Sequence, residues 1–431
     1  MTNVIDFPGP DGAKGKRGDF FAVDRRAWAR ACGLGMNAAV AYLVLARFSG
    51  PDQRTTKAGT NAVETYTGIS RQRAKAAVAA LEQNGLITAA EGITRKIVPA
   101  HEVRGCEGYP LPKLDDQEDE LLVTLMCGET YVPPRGDREW KGWANPRTVA
   151  GYLVNKGWAR EAGNNHFIPT PYDAKKAAEP DWTWLPNALV TGADNETPPV
   201  ELVRGTQDVM TLRLLVDLYH AQSLTSDGGI HWRRIRQEFT RAKVGERGPF
   251  VVWGFVAGSS MTWPTTPFTA PHMIGRNSKG PDGKERDEGW PLFWDRWGTL
   301  TRLGLVEKVG HLIEADTGEA EIIHPYAIGN GEPIEQEARE QAHAAGRAMV
   351  TDGQYEWAKN HFGQAPWLAP VPAHMANVQM VGIARLKYRP RTALTAAWWA
   401  ETQDRCKGHI ERYTKLRAGI ALGSTAAAGS C

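Results

Sequence analysis

Residues 60–87 read TNAVETYTGISRQRAKAAVAALEQNGLI, and the spacing of apolar and charged positions in this stretch sets the expected fold. The pattern predicts a helix near Thr60–Thr67, a turn at Gly68-Ile69, and a second helix over Arg71–Asn84 with Ser70 at its N-cap. At about 100° per residue, Ala74, Ala77, Val78 and Leu81 share one face and are expected to pack inward. The opposite face carries Gln72, Lys75, Ala76, Ala79 and Gln83, flanked by Arg71 and Arg73. Gly85 is placed to cap the helix in the left-handed conformation, and Leu86-Ile87 to open a strand. Cations in a first helical turn oppose the helix dipole, at a cost of a few tenths of a kcal/mol, roughly. A nearby polyanion would offset that cost.

Working outward, Asn37–Phe48 reads as an earlier helix with Val40, Leu43, Val44 and Leu45 available to a core, stopped by Ser49-Gly50-Pro51. On the far side, Glu91-Gly92 predicts a hairpin turn, and the hairpin near Gly92–Val98 adds Arg95 and Lys96. The outward face of Arg71–Asn84 suits a DNA major groove. Small residues allow close approach, Gln pairs with adenine and Arg with guanine, and Lys75 reaches phosphate.

The stretch 60–87, with Gly68-Ile69-Ser70, the apolar Ala74, Val78 and Leu81, and the closing Asn84-Gly85-Leu86-Ile87, resembles the helix-turn-helix and wing entry of winged-helix regulators of the MarR and GntR kind. The resemblance spans roughly Asp24 to Arg104 and implies that Ser70, Arg71, Gln72, Arg73 and Lys75 contact DNA.

One phrase, a helix followed by Leu, three residues, Gly and a strand, occurs three times: Leu81/Gly85, Leu153/Gly157 and Leu300/Gly304. Each copy leads into a plausible hairpin, with turns at Glu91-Gly92, Gly163-Asn164-Asn165 and Thr317-Gly318. The expected fold class is therefore α+β, mainly helical, with tandem winged-helix units and small β-hairpin wings. The expected layout is a flexible arm (1–20), a first unit (21–104), a second (105–175), a Pro- and Gly-containing linker (176–199), a third unit (200–330) with an insertion (256–288), and a helical basic C-terminal region (331–431).

In the second unit Arg147 is the outward basic candidate, although the acidic run Asp115–Glu120 just upstream makes that unit a doubtful DNA reader. In the third unit His231–Arg241 is expected as a second, basic helix, offering Arg233, Arg234 and Arg236. Its aromatic helix, with Phe293, Trp294, Trp297 and Leu300, is read as core or protein interface. The C-terminal segment beginning at Arg385 contributes Arg385, Lys387, Arg389 and Arg391 either to phosphate binding or to a solvated helix that packs Trp398 and Trp399 on the body.

Composition sets the frame for these motifs. The 431 residues are 42% hydrophobic and 23% charged, which suits several packed cores. Net charge is only +2, so basic patches must be local. Five scattered cysteines and no CxxC pair argue against a disulfide framework or a cysteine zinc site, and favour the cytoplasm. No long apolar run suggests a membrane span. No Walker A loop, His-x-His pair, HExxH helix or GxSxG elbow is present; the nearest P-loop match, Gly275–Gly280, runs into Pro281. The expectation is a non-enzymatic, cofactor-free and metal-free binder of double-stranded DNA, a replication initiator or transcriptional regulator of a plasmid, phage or other mobile element. A second copy of the chain and host replication or transcription proteins are further candidate partners. The alternative is a non-catalytic scaffold whose winged helices contact protein or RNA.

Overall fold

Asp24 ends a strand and starts a helix. β1 (Phe20–Asp24) hands over to α1 (Arg25–Gly33), whose first turn is capped by the Asp24 carboxylate accepting from Arg26 N at 3.1 Å. The computed structural model describes residues 19–92, 94–98, 159–161, 167–169, 180–193, 196–223, 229–230, 235–262, 272, 274–279, 285–287, 290–314, 322–329, 332–375, 377–388 and 393–428. Within these residues the architecture is mixed α and β, with helix outweighing strand.

α2 (Met36–Arg47) buries Met36 and every residue from Ala38 to Ala46. It is flanked by α3 (Thr60–Thr67) and α4 (Arg71–Gln83), and the inward face of α4 is Ala74, Ala77, Val78 and Leu81, as its period requires. β2 (Thr55–Thr56), β3 (Ile87–Ala89) and β4 (Arg95–Ile97) form a three-stranded sheet in the order β2-β4-β3. The turn between β3 and β4 is closed by Ala90 N donating to Thr94 O at 2.9 Å, with Gly92 at φ +62°.

α4 ends where Gly85 takes φ +71°. Leu86 N donates to Leu81 O and Gly85 N to Glu82 O, both at 3.0 Å, which is the Schellman pattern. The same closure recurs at the end of α8 (Trp290–Arg302). There Gly304 has φ +68°, Leu305 N donates to Leu300 O at 3.0 Å and Gly304 N to Thr301 O at 2.9 Å. Leu81, Leu86, Leu300 and Leu305 are all buried, so each copy includes the apolar contact that accompanies this motif. The Leu153/Gly157 copy lies outside the described residues, although the hairpin after it is present as β5 (Ala159–Glu161) paired with β6 (Phe167–Pro169).

The expected linker 176–199 does not hold. β7 (Trp182–Pro186) pairs antiparallel with β1 from Asp24↔Trp182 to Phe20↔Pro186. Arg25 Nε meets Asp181 Oδ2 at 2.8 Å beside this ribbon. α5 (Ala188–Thr191), α6 (Pro199–Gly205) and α7 (Val209–Ala221) follow, and Leu185, Leu189, Val190, Val200, Val203 and the apolar residues of α7 enter the same core as α2. The segment's Pro and Gly content marks its turns. Its strand WTWLP turns Thr183 and Leu185 inward and leaves Trp182 and Trp184 half-buried. The first and third units therefore share one core, and the stretch 99–179 is inserted between β4 and β7.

The third unit is not a helix-and-wing copy either. His231–Arg241 was expected as a helix, but β10 (Ile235–Arg247) and β11 (Phe250–Thr262) form a long antiparallel hairpin. The insertion accordingly starts later than residue 256 and contains a short pair, β12 (Ile274–Lys279) with β13 (Glu285–Asp287). β14 (Val306–Ile313) and β15 (Ile322–Gly329) follow α8, but β14 pairs along its whole length with β17 (Gln379–Leu386) and is no free wing. With β16 (Trp367–Pro372), β8 (Gln222–Ser223) and β9 (Gly229–Ile230) they build an eight-stranded sheet whose main path is β15-β14-β17-β10-β11-β16. The C-terminal region is thus helix and strand together. α9 (Pro333–Met349) packs across this sheet, α10 (Asp352–Phe362) lies on β10, and α11 (Ala393–Ala428) lies on α9.

The two bodies are bolted together through α7 and α8. Asp208 caps α7 through Met210 N at 3.0 Å and accepts from Arg296 Nε at 2.8 Å. Arg296 also donates to His272 O, and His272 Nε2 lies 2.9 Å from Asp217 Oδ2. Burial works to raise the Asp208 carboxyl, but Arg296 together with the bonds from Met210 N and Thr211 Oγ1 holds the group below its ordinary value. Phe293, Trp297 and Leu300 fill the adjoining core, as the core reading of that aromatic helix required.

Gly85→Ala and Gly304→Ala each place a β-carbon where open space exists but the backbone is left-handed. Each is expected to lower stability by about 1–2 kcal/mol, measured as a shift in denaturant midpoint at constant slope.

Candidate nucleic-acid interface

Because Ala74, Ala77, Val78 and Leu81 lock α4 onto the core, the rotation of its outer face is fixed. Arg71, Gln72, Arg73, Lys75, Ala76 and Gln83 are exposed and Ala79 is half-buried. No hydrogen bond or ion pair to the described residues engages the side chains of Arg71, Gln72, Arg73 or Lys75. Ser70 occupies the N-cap position with extended backbone, but its side chain makes no capping bond, so the expected cap is positional only. The first turn of α4 holds no acid, leaving its two arginines uncompensated against the helix dipole.

The hairpin strand β4 runs beside this helix. Arg95 Nε meets Glu82 Oε1 at 3.1 Å, tying β4 to the last turn of α4. Gly59 lies beneath the same guanidinium, where a β-carbon would come within 3.3 Å of Arg95 Nη1. Lys96 is exposed and faces Thr55 and Thr88 across the sheet. Lys57, just past β2, is a further exposed cation on this side. Sequence reading missed it because a two-residue strand is visible only through its pairing with β4.

The turn from α3 to α4 is approached by a remote segment. Gly68, at φ +62°, leaves room for α6. A β-carbon there would lie 2.7 Å from Glu201 Oε1 and 3.4 Å from Arg204 Nη2. These contacts cross more than 130 residues of chain, and no local pattern could reveal them.

The other sequence candidates separate from this surface. Arg385 is a correction: its side chain is fully buried on β17. Its two terminal nitrogens donate to Glu335 Oε2 at 2.6 Å and Glu335 Oε1 at 2.7 Å, a bidentate pair. Arg385 Nη2 also reaches His311 Nε2 at 3.0 Å, and since a guanidinium only donates, that ring nitrogen is the acceptor. Burial works to raise the Glu335 carboxyl, but the Arg385 bonds and charge bring it below its ordinary value. Lys387 is surface-exposed but engaged with Glu196 Oε1 and Oε2 at 3.0 Å each, and Tyr388 Oη also donates to Glu196. Arg236 lies on β10 and not on a helix. Arg147, Arg233, Arg234, Arg389 and Arg391 lie outside the described residues. Trp398 is buried and Trp399 half-buried, the packing alternative for the C-terminal helix.

No helix among the described residues is long and apolar enough to cross a membrane. No family model, curated protein or solved structure matches the chain.

Glu335→Ala leaves Arg385 buried and unpaired, and is expected to destabilise the fold by about 3–5 kcal/mol. The paired replacement Arg385→Met with Glu335→Leu is expected to recover most of that loss. The sign with pH follows from the depressed Glu335 value. Its stabilisation is complete above the ordinary glutamate range, about 4.3, and is lost as pH falls through the lower folded value. Denaturant titrations of the three proteins across acidic pH measure both effects.

Proposed function

We propose that residues 36–98 form a winged-helix unit that reads double-stranded DNA, with α4 in the major groove and the β3–β4 hairpin on the neighbouring backbone. The observation that carries this reading is the set Arg71, Gln72, Arg73 and Lys75, without partners among the described residues, on the one face of α4 that its core contacts leave outward. The strand order β2-β4-β3 behind α3 and α4 supports the same assignment. Gln72 and Arg73 are the base-reading candidates and Lys75, Arg95 and Lys96 the phosphate candidates. The chain then acts as a sequence-specific DNA-binding protein, a replication initiator or transcriptional regulator of a mobile element, working in the cytoplasm. The size of the sheet-bearing body fused to a single reading head leans toward the initiator, since simple repression needs less chain.

Selection from a random duplex pool at physiological salt tests this. The expected result is a defined motif. Direct repeats point to an origin and a single palindrome to an operator. Against the recovered site, Gln72→Ala and Arg73→Ala are expected to relax preference by about 1–3 kcal/mol for a good base contact. Lys75→Ala weakens all duplexes alike. Failure to recover any motif, or four variants at 72, 73, 75 and 95 that bind like the parent, would sink the assignment in favour of a scaffold that contacts protein or RNA.

A further inference from the structure

We propose that Arg204 is a phosphate-contacting residue of the same interface, contributed by α6 from outside the winged-helix unit; the inference rests on the DNA-binding reading above. Gly68 is exposed and Arg204 Nη2 lies 3.4 Å from where its β-carbon would stand, so the guanidinium sits on the α3–α4 turn. Arg71 is three residues along the chain from Gly68, which bounds their Cα separation to about 11 Å. The cation therefore extends the basic front of α4 past the turn.

Arg204 is not spent on a structural ion pair. Its Nε is buried without a hydrogen-bond partner, and its side chain makes no hydrogen bond or ion pair among the described residues. The polar contacts of this residue are made by its backbone, whose carbonyl accepts from Gln207 N and Gln207 Nε2 at 3.1 Å each. Glu201 approaches the same turn but forms no ion pair with Arg204. Arg385 is the contrast: its terminal nitrogens are taken by Glu335 at 2.6 and 2.7 Å and its side chain is fully buried, away from any ligand that arrives later. A half-exposed guanidinium with unused donors, beside a surface of like charge, suits a bidentate phosphate oxygen acceptor.

The test uses the full-length chain and the duplex recovered by selection, together with a scrambled duplex of equal length. Arg204→Ala and Arg204→Gln are expected to weaken both duplexes alike, by about three- to tenfold. They should also reduce the slope of log affinity against log salt by roughly one. Arg204→Lys should keep the parental slope, and Glu201→Gln should tighten both duplexes. An unchanged salt slope in Arg204→Ala and Arg204→Gln overturns the proposal. So does a changed base preference at constant slope, which would make Arg204 a prop for the turn. Thermal melts of the variants separate loss of contact from loss of fold. If Gln72→Ala and Arg73→Ala alter preference while the Arg204 variants keep the parental slope, only this proposal falls. If the parent binds no duplex, the DNA reading falls and takes Arg204 with it.

Discussion

Helix α2 is apolar on nearly every side, from Met36 through Ala46, and a helix of that kind must be covered on every side. α3 and α4 cover one flank, and they cannot cover the rest. The remaining area is taken by α1, β1, α5 and α6, two of which belong to a segment that returns only after residue 180. Burial of a Val, Leu or Ile side chain contributes roughly 1.5–3 kcal/mol, and α2 alone buries Val40, Leu43, Val44 and Leu45. The α2–α4 unit is therefore not an independent bead on a string. Its core is completed by residues 182–221, and through α7 it continues into Phe293, Trp297 and Leu300.

That constraint has a mechanical consequence. In place of a flexible linker, the ribbon β1–β7, the Arg25–Asp181 pair and the Asp208–Arg296 bond tie α2–α4 to the elements that follow residue 180. Whatever α4 binds is held at a defined angle to the eight-stranded sheet. It also explains how a residue at 204 comes to lie on a turn at 68. The rest of the core forces α6 into place, and Gly68, lacking a β-carbon, lets it approach.

The parts of this arrangement legible in the sequence are those with a short-range signature. The inward set Ala74, Ala77, Val78 and Leu81 follows from helical period alone, and the buried residues match it. The closures at Gly85 and Gly304 follow from spacing because a Schellman motif is complete within six residues. What that motif cannot report is the fate of the strand after it. Beyond Gly85 the strand enters a three-stranded sheet, and beyond Gly304 it enters an eight-stranded one. At these two copies the phrase marks a helix end, and the strands that follow enter different sheets. The linker reading of 176–199 failed for a related reason. Pro and Gly content records turns, while the strand WTWLP within it is recognised by a partner, Phe20–Asp24, about 160 residues away.

Charge was the least legible quantity, because counting cations says nothing about their partners. Arg385 and Arg73 are equally basic as letters. One is enclosed with Glu335 fifty residues earlier in the chain, and the other faces outward with no partner among the described residues. The basic density of 385–417 was therefore a poor guide, since its leading arginine builds the interior and its next lysine closes onto Glu196. A buried ion pair repays its own desolvation and little more, whereas an exposed cation with unused donors keeps its full affinity for an anion that arrives later. In a chain whose net charge is only +2, an interface for a polyanion is defined by which cations the fold leaves unspent. Among the described residues, Arg71, Arg73 and Lys75 on the outer face of α4 and Arg204 at the turn that precedes it are cations of this kind.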